Sequence, residues 1–346
     1  MKPEYMSLIN TIISATIGVV SVLITQYLQK NIKEEEKKQK DYDTYKKYAK
    51  PIILAAESLA WRLKEVLLFN GAYLLPDAPK NGFFKYKFDS TVYRLCALIG
   101  WIRAAQKEFS YVEGVGDNKN KGLIRAINSF QKALADGDHV EVSIYEELCT
   151  LYGLELKDLP DQRKKEIGVE IEKIVFKLIP DQVKRNVKAL KDEDKLTMVS
   201  SILNLISSST NQKVLTREEV KSNLDVAITE ISREFCWIYR DWQSAIGDEM
   251  LISLNNSYRF FDILGFSDFV IKHDNNVWLK KIDNLFSNLD VSVDDRFDSR
   301  VSQVKQIYSE LIIIIEAFNK VILEEEAISK DGLKSLKKFR DTLFTD

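Results

Sequence analysis

Histidine is nearly missing from this chain. Its 346 residues hold two, His139 and His273, too far apart in sequence to make a motif. No H-x-x-x-H, C-x-x-C, G-x-S-x-G or G-x-x-x-x-G-K-[S/T] pattern occurs, so the common metal, redox, hydrolase and phosphate-loop signatures are empty. Cysteine is scarce as well. Cys96, Cys149 and Cys236 form an odd, scattered set in apolar surroundings, which reads as reduced core residues rather than a disulfide framework or metal site. Six prolines and 13 glycines are too few turn formers for a many-stranded β fold. Charge of one sign is also missing: 50 Lys+Arg stand against 52 Asp+Glu, so no global field draws the chain to nucleic acid or to a cationic partner. No cofactor, metal or nucleic acid is expected.

What is present is apolar helical sequence. At 45% hydrophobic and 29% charged residues the chain can bury a large core. Its longest uncharged run lies near the start, from Met6 to Gln29, between Glu4 and Lys30. As a helix it covers roughly 36 Å, against roughly 30 Å of bilayer hydrocarbon. A removed signal peptide and a buried soluble helix are the competing readings, but no A-x-A cleavage site follows and the uncharged length favours a span. Lys30, Lys33, Lys37, Lys38 and Lys40 follow the run while only Lys2 and the amino terminus precede it, which orients the N-terminus outward and the body to the cytoplasm of an inner membrane. Lipid is thus one expected partner.

Ser7, Thr11, Ser14, Gly18, Ser21 and Thr25 recur at spacings of four and three, placing small residues on one face of that helix. Such a face suits self-association in lipid, although Ser and Thr can also bond their own preceding carbonyls. A homo-oligomer is the expectation. Residues 30–48 read as a charged helical stalk, with Tyr42, Tyr45 and Tyr48 at its entry into the body. Pro51 is expected to kink the helix or start a new one. The whole is an all-α fold: residues 1–29 as tail and transmembrane helix, 30–48 as stalk, 49–155 as one helical subdomain and 156–346 as a second packed on it.

Within the body, residues 71–88 read as a structured loop whose Tyr73, Phe83, Phe84, Tyr86 and Phe88 interleave with Lys80, Lys85 and Lys87. Loop packing onto a core is the favoured role, with nucleic-acid stacking or a membrane surface as alternatives. Asp89 or Ser90 is the expected cap of the following helix. Residues 114–122 read as a polar loop, and 139–153 as a short strand passing into a helix. A capping box at Thr216 and Glu219 opens a helix expected to run over 216–250. His273 is expected on an exposed loop. The last long helix, expected over 295–326, carries Phe297, Val301, Val304, Tyr308, Leu311, Ile315, Phe318 and Ile322 at core spacing.

Two segments, STVYRLCALIGWIRAAQKEFSYV and FCWIYRDWQSAIGDEM, resemble paired segments of an uncharacterised bacterial family of helical proteins with an N-terminal membrane anchor. The likeness rests on Gly100 and Trp101, then Arg240, Gln243, Ala245, Ile246 and Gly247, with Asp248 where the family has an acid. It implies an anchored helical protein and no activity. On a helix Arg240, Gln243 or Ser244, and Gly247 share a face. With Asp248 and Glu249 they make a candidate polar pocket in which Arg could fork a phosphate or carboxylate; the plainer reading is an ion-pair network closing a helix contact. The function class that leads is a membrane-anchored, self-associating module recognising a protein partner, a sensor or effector of bacterial stress or phage defence. The alternatives are a membrane-bound enzyme with a site near Arg240, and a structural or membrane-perturbing oligomer.

Overall fold

The computed structural model describes residues 3–76, 78–110, 118–135, 140–179, 187–255, 257–319 and 328–343, with the backbone course alone for 3–24, 37–42, 44–45, 109–110, 118–121, 140–143, 189 and 234–235. The fold is all-α. In chain order the helices are α1 (Pro3–Phe69), α2 (Gly82–Ser110), α3 (Asn118–Leu134), α4 (Val140–Leu151), α5 (Asp161–Leu178), α6 (Asp192–Thr210), α7 (Arg217–Ser222), α8 (Leu224–Ile231) and α9 (Arg240–Met250). A hairpin of β1 (Leu251–Ser253) and β2 (Phe261–Ile263) follows, then α10 (Phe266–His273), α11 (Asp283–Phe286), α12 (Arg300–Asn319) and α13 (Lys330–Thr342). The strands pair antiparallel, with Leu251 opposite Ile263 and Ser253 opposite Phe261.

Two hydrophobic cores organise these elements. The first joins α1, α2 and α3 to everything after Cys236, and α12 runs through it against both α1 and α3. Val301, Val304, Tyr308, Leu311, Ile315 and Phe318 are buried there, as their spacing predicts. The second core is built from residues between Ile144 and Ile231, on α4 to α8. It is therefore inserted between α3 and α9, and the expected division at 155/156 falls inside it. The ends of the insertion meet where the Ile238 amide donates to the Leu134 carbonyl at 2.9 Å. All three cysteines are buried and unpaired.

Several local expectations are corrected. Pro51 neither ends nor restarts a helix: α1 continues through it. Tyr48, Ala49, Ile52 and Ile53 around it are fully buried, and their packing outweighs the roughly 3 kcal/mol that an interior proline costs. The 71–88 loop is half helix, because α2 starts at Gly82 and buries Phe84 and Phe88 against the first core; Asp89 lies inside α2, paired with Lys85 at 2.7 Å, and caps nothing. The polar loop expected over 114–122 is helical from Asn118. The short strand expected within 139–153 is replaced by helix: α4 runs from Val140 to Leu151 and buries Tyr145, Leu148 and Cys149 on one face, while His139 lies outside the described residues.

The helix expected over 216–250 is broken into α7, α8, a 3-10 turn at Arg233–Cys236, and α9. Its apolar residues serve two cores: Ala227, Ile228 and Ile231 belong to the second, and Cys236, Ile238, Ile246 and Met250 to the first. One straight helix could not reach both. The capping box at Thr216 and Glu219 is present, both bonds formed. α12 starts at Arg300, leaving Phe297 ahead of it and exposed; Ile322 lies outside the described residues.

Among the described residues no helix is long and apolar enough to cross a membrane. The stretch 6–29 belongs to the backbone of α1, but Ser7, Thr11, Ser14, Gly18 and Ser21 carry side chains outside the description, and Thr25 alone of the small-residue stripe is inside it. From Thr25 to Glu36 the described side chains are almost all exposed, as a stalk requires.

Candidate functional site

The two segments of the family resemblance pack on each other. Gly100 of α2 lies against Met250, and Gly247 of α9 against Arg103 and the Ile99 carbonyl, so each glycine is the point where the opposite helix comes closest. Asp248 then forks Arg103 on α2, Oδ1 to Nε at 2.8 Å and Oδ2 to Nη2 at 3.0 Å, and takes Lys107 at 2.9 Å. The hydrogen bond from Arg103 holds the Asp248 carboxyl below its ordinary range. Glu249 pairs with Lys272 of α10 at 2.9 Å.

Arg240 and Gln243 face a different neighbour. Arg240 Nη1 donates to Gln131 Oε1 at 3.0 Å at the surface of α3. Gln243 is buried, and its Nε2 donates to the carbonyls of Gln131 (2.9 Å) and Ile238 (2.7 Å). Gln303 of α12 reaches the Leu134 carbonyl at 2.9 Å. Two buried glutamines thus clamp the neck where the inserted subdomain leaves and returns. The five sequence-selected residues are divided among three contacts and do not line one common cavity.

The 71–88 aromatics mostly pack. Tyr73, Phe84 and Phe88 sit on the first core, while Phe83 and Tyr86 stay exposed as a tilted pair at 6.0 Å. This segment faces a cleft of about 220 Å³ that contains His273. That histidine is buried, not on an exposed loop: it ends α10, stacks on Phe269 at 5.3 Å, and its Nε2 lies 2.9 Å from Asp283 Oδ1. Lys85 is held protonated by its hydrogen bond to Asp89. Lys85 pairs with Asp89 and His273 with Asp283 within this cleft.

A larger groove, of about 720 Å³, opens where α1 enters the body. α1 and α2 form its walls and the tip of the β1–β2 hairpin closes one end. Glu108 of α2 anchors this corner. It is buried, accepts from the Tyr48 hydroxyl at 2.6 Å and Lys47 Nζ at 2.8 Å, and meets the Phe260 amide at 3.3 Å. Tyr48 Oη in turn accepts from the Phe261 amide, and burial pushes the Tyr48 hydroxyl pKa far up. One carboxylate therefore ties α1, α2 and the hairpin together.

The groove itself collects cations: Lys46, Lys47, Lys50, Arg94 and Arg259 line it, and none of its described lining residues is a carboxylate, histidine or cysteine. Arg94 sits deepest. Its Nη1 donates to the Ser58 carbonyl at 2.7 Å and to the Ser58 hydroxyl, and among the described residues no acid pairs with it. Burial, and after it the charge of Arg62, lowers its pKa; Glu65 is near enough to oppose this weakly but makes no ion pair with it among the described residues. Arg259 lies over Trp101 at 5.0 Å and Lys47 over Tyr258 at 5.5 Å. Leu54 and Tyr258 remain exposed at the rim.

No sequence pattern singled out this groove, because its cations come from three places spread over more than 200 residues of chain. The one local signal was the cluster Lys46, Lys47 and Lys50 beside Pro51. Among the described residues no group of three or more His, Cys, Asp or Glu could hold a metal. Compared with protein-family models, with curated proteins and with solved structures, the chain matches none.

Proposed function

We propose that the chain is a membrane-tethered recognition module: residues 6–29 anchor it as a single span, N-terminus out, and its cytoplasmic helical body takes a partner in the groove between α1, α2 and the hairpin. The observation that carries this reading is the continuity of α1. One helix, Pro3–Phe69, includes the uncharged stretch, the stalk and a core element of the body, and its entry into the body forms a wall of the groove. Tether and binding site share one element. Binding rather than catalysis is favoured because the described groove offers cations, hydroxyls and rings but no general base.

Self-association through Ser7, Thr11, Ser14, Gly18, Ser21 and Thr25 belongs to the same proposal. The small-residue spacing supports it, since close backbone approach is what holds helices together in lipid. The test is fractionation of the full chain and of a chain lacking residues 1–29. The full chain is expected in the membrane pellet after carbonate washing and the truncated one in the supernatant; a truncated chain that stays in the pellet overturns the tether. Leucine at Ser14, Gly18 and Ser21 together is expected to abolish crosslinked oligomers while leaving the chain in the membrane. Unchanged crosslinking removes the self-association.

A further inference from the structure

We propose that the groove at the foot of the stalk is a site for a nucleoside phosphate, with Arg94 forking the phosphate. This rests on the groove being a recognition site and goes beyond it to the class of ligand. A guanidinium carries five N–H donors, and Arg94 spends Nη1 on Ser58, leaving Nε and Nη2 without a partner among the described residues and not sealed from solvent. Two parallel donors on a half-buried arginine are the geometry that grips a phosphate bidentately. Lys46 and Arg259 at the rim add charge without an ion-pair partner among the described residues, in a chain whose net charge is −2. Such local excess is an anion site in a molecule with no general attraction for anions.

A base would meet aromatic and apolar surface in the rest of the groove, beside Arg259 over Trp101 and Lys47 over Tyr258. Leu54 and Tyr258 are exposed at its rim, and Trp101 and Tyr93 line its side. Its volume lies in the range of small-ligand sites. A lipid headgroup is the poorer fit: Gln29 and Lys46 are 17 residues apart, about 26 Å along a straight helix, so an upright α1 holds the groove away from the bilayer surface.

The experiment is isothermal titration calorimetry of the full chain in detergent with ATP, GTP, CTP and UTP separately, and with adenosine, inorganic phosphate and a glutamate octapeptide as further arms. At least one nucleotide is expected to bind, with its nucleoside and free phosphate each weaker by at least about tenfold. Arg94→Gln is expected to weaken binding by about tenfold or more. Because Arg94 also bonds Ser58, Lys46→Ser at the exposed rim serves as the second variant, expected to weaken binding severalfold with an unchanged melting temperature. The proposal is overturned by no nucleotide binding up to about 1 mM, by phosphate alone binding as tightly as the nucleotide, or by both variants keeping the parent affinity. An octapeptide that binds where no nucleotide does reassigns the groove to an acidic protein partner and overturns it equally. None of these outcomes depends on whether residues 1–29 cross a membrane, so the tether stands or falls separately.

Discussion

A methyl group on Gly247 would lie 2.5 Å from Arg103 Cβ and 3.4 Å from the Ile99 carbonyl oxygen. Neither neighbour is the free end of a flexible chain, so α9 would have to move off α2. Gly247→Ala is expected to lower stability by about 1–3 kcal/mol in thermal or urea unfolding. Gly122 is the control: it is helical and a Cβ there meets nothing within 4 Å, so Gly122→Ala should instead gain about 0.5–1 kcal/mol. Equal effects at the two sites would mean that helix propensity, not close approach, governs Gly247. Glu310 supplies a pH test. On α12 its Oε2 is buried with no hydrogen-bond partner among the described residues, and desolvation raises its pKa. The charged form is the costly one, so this residue adds no penalty below the unfolded carboxyl pKa, and its penalty grows until pH passes the raised native value. Glu310→Gln is therefore expected to raise the melting temperature at pH 7 by about 1–2 °C and leave it unchanged near pH 4.

At the scale of elements, the corner held by Glu108 joins three segments through one carboxylate. Tyr48→Phe removes the shortest of its bonds and leaves a buried oxygen short of a donor, at a cost of about 1–3 kcal/mol. It also deprives the Phe261 amide of its acceptor, so hydrogen exchange across β1–β2 should quicken more than exchange in α12. Uniform acceleration would show that Tyr48 acts only on global stability. This corner marks the limit of what could be read from the chain. Periodicity revealed α12, because one side of it is buried against a single core. It misled over 216–250, where α8 and α9 serve different cores and the apolar pattern hides the breaks between them. The hairpin was missed because three-residue strands are too short to show alternation. The α2–α9 contact was half legible: an ion-pair network closing a helix contact is the plainer reading of the Arg240–Glu249 cluster, but the partner Arg103 lies more than 140 residues away. His273 looked exposed beside polar neighbours, yet Asp283 supplies a buried partner that no spacing rule foretells.

At the scale of the whole molecule, the second core is a self-contained insertion. Its buried residues lie between Ile144 and Ile231, and the body on either side of it closes through Ile238 to Leu134, with Gln243 and Gln303 bracing that junction. The groove draws on α1, α2 and the hairpin, all in the first core. Across the junction the insertion meets the body at the Phe297 carbonyl, which accepts from Lys188 and Thr229, and at Asp298, 3.8 Å from Lys188. Trp237, beyond the insertion in sequence, also packs on the second core, but the first core takes no buried residue between Leu134 and Cys236, so it is expected to fold without the insertion. Replacing residues 140–231 with a short Gly-Ser linker is therefore expected to leave a chain that melts cooperatively and binds in the groove as the full chain does, with a midpoint lowered by no more than a few degrees. Circular dichroism melting and the calorimetric titration together decide it. A shortened chain that unfolds without a transition would show that the two cores form one cooperative unit, and that the neck glutamines join halves neither of which stands alone.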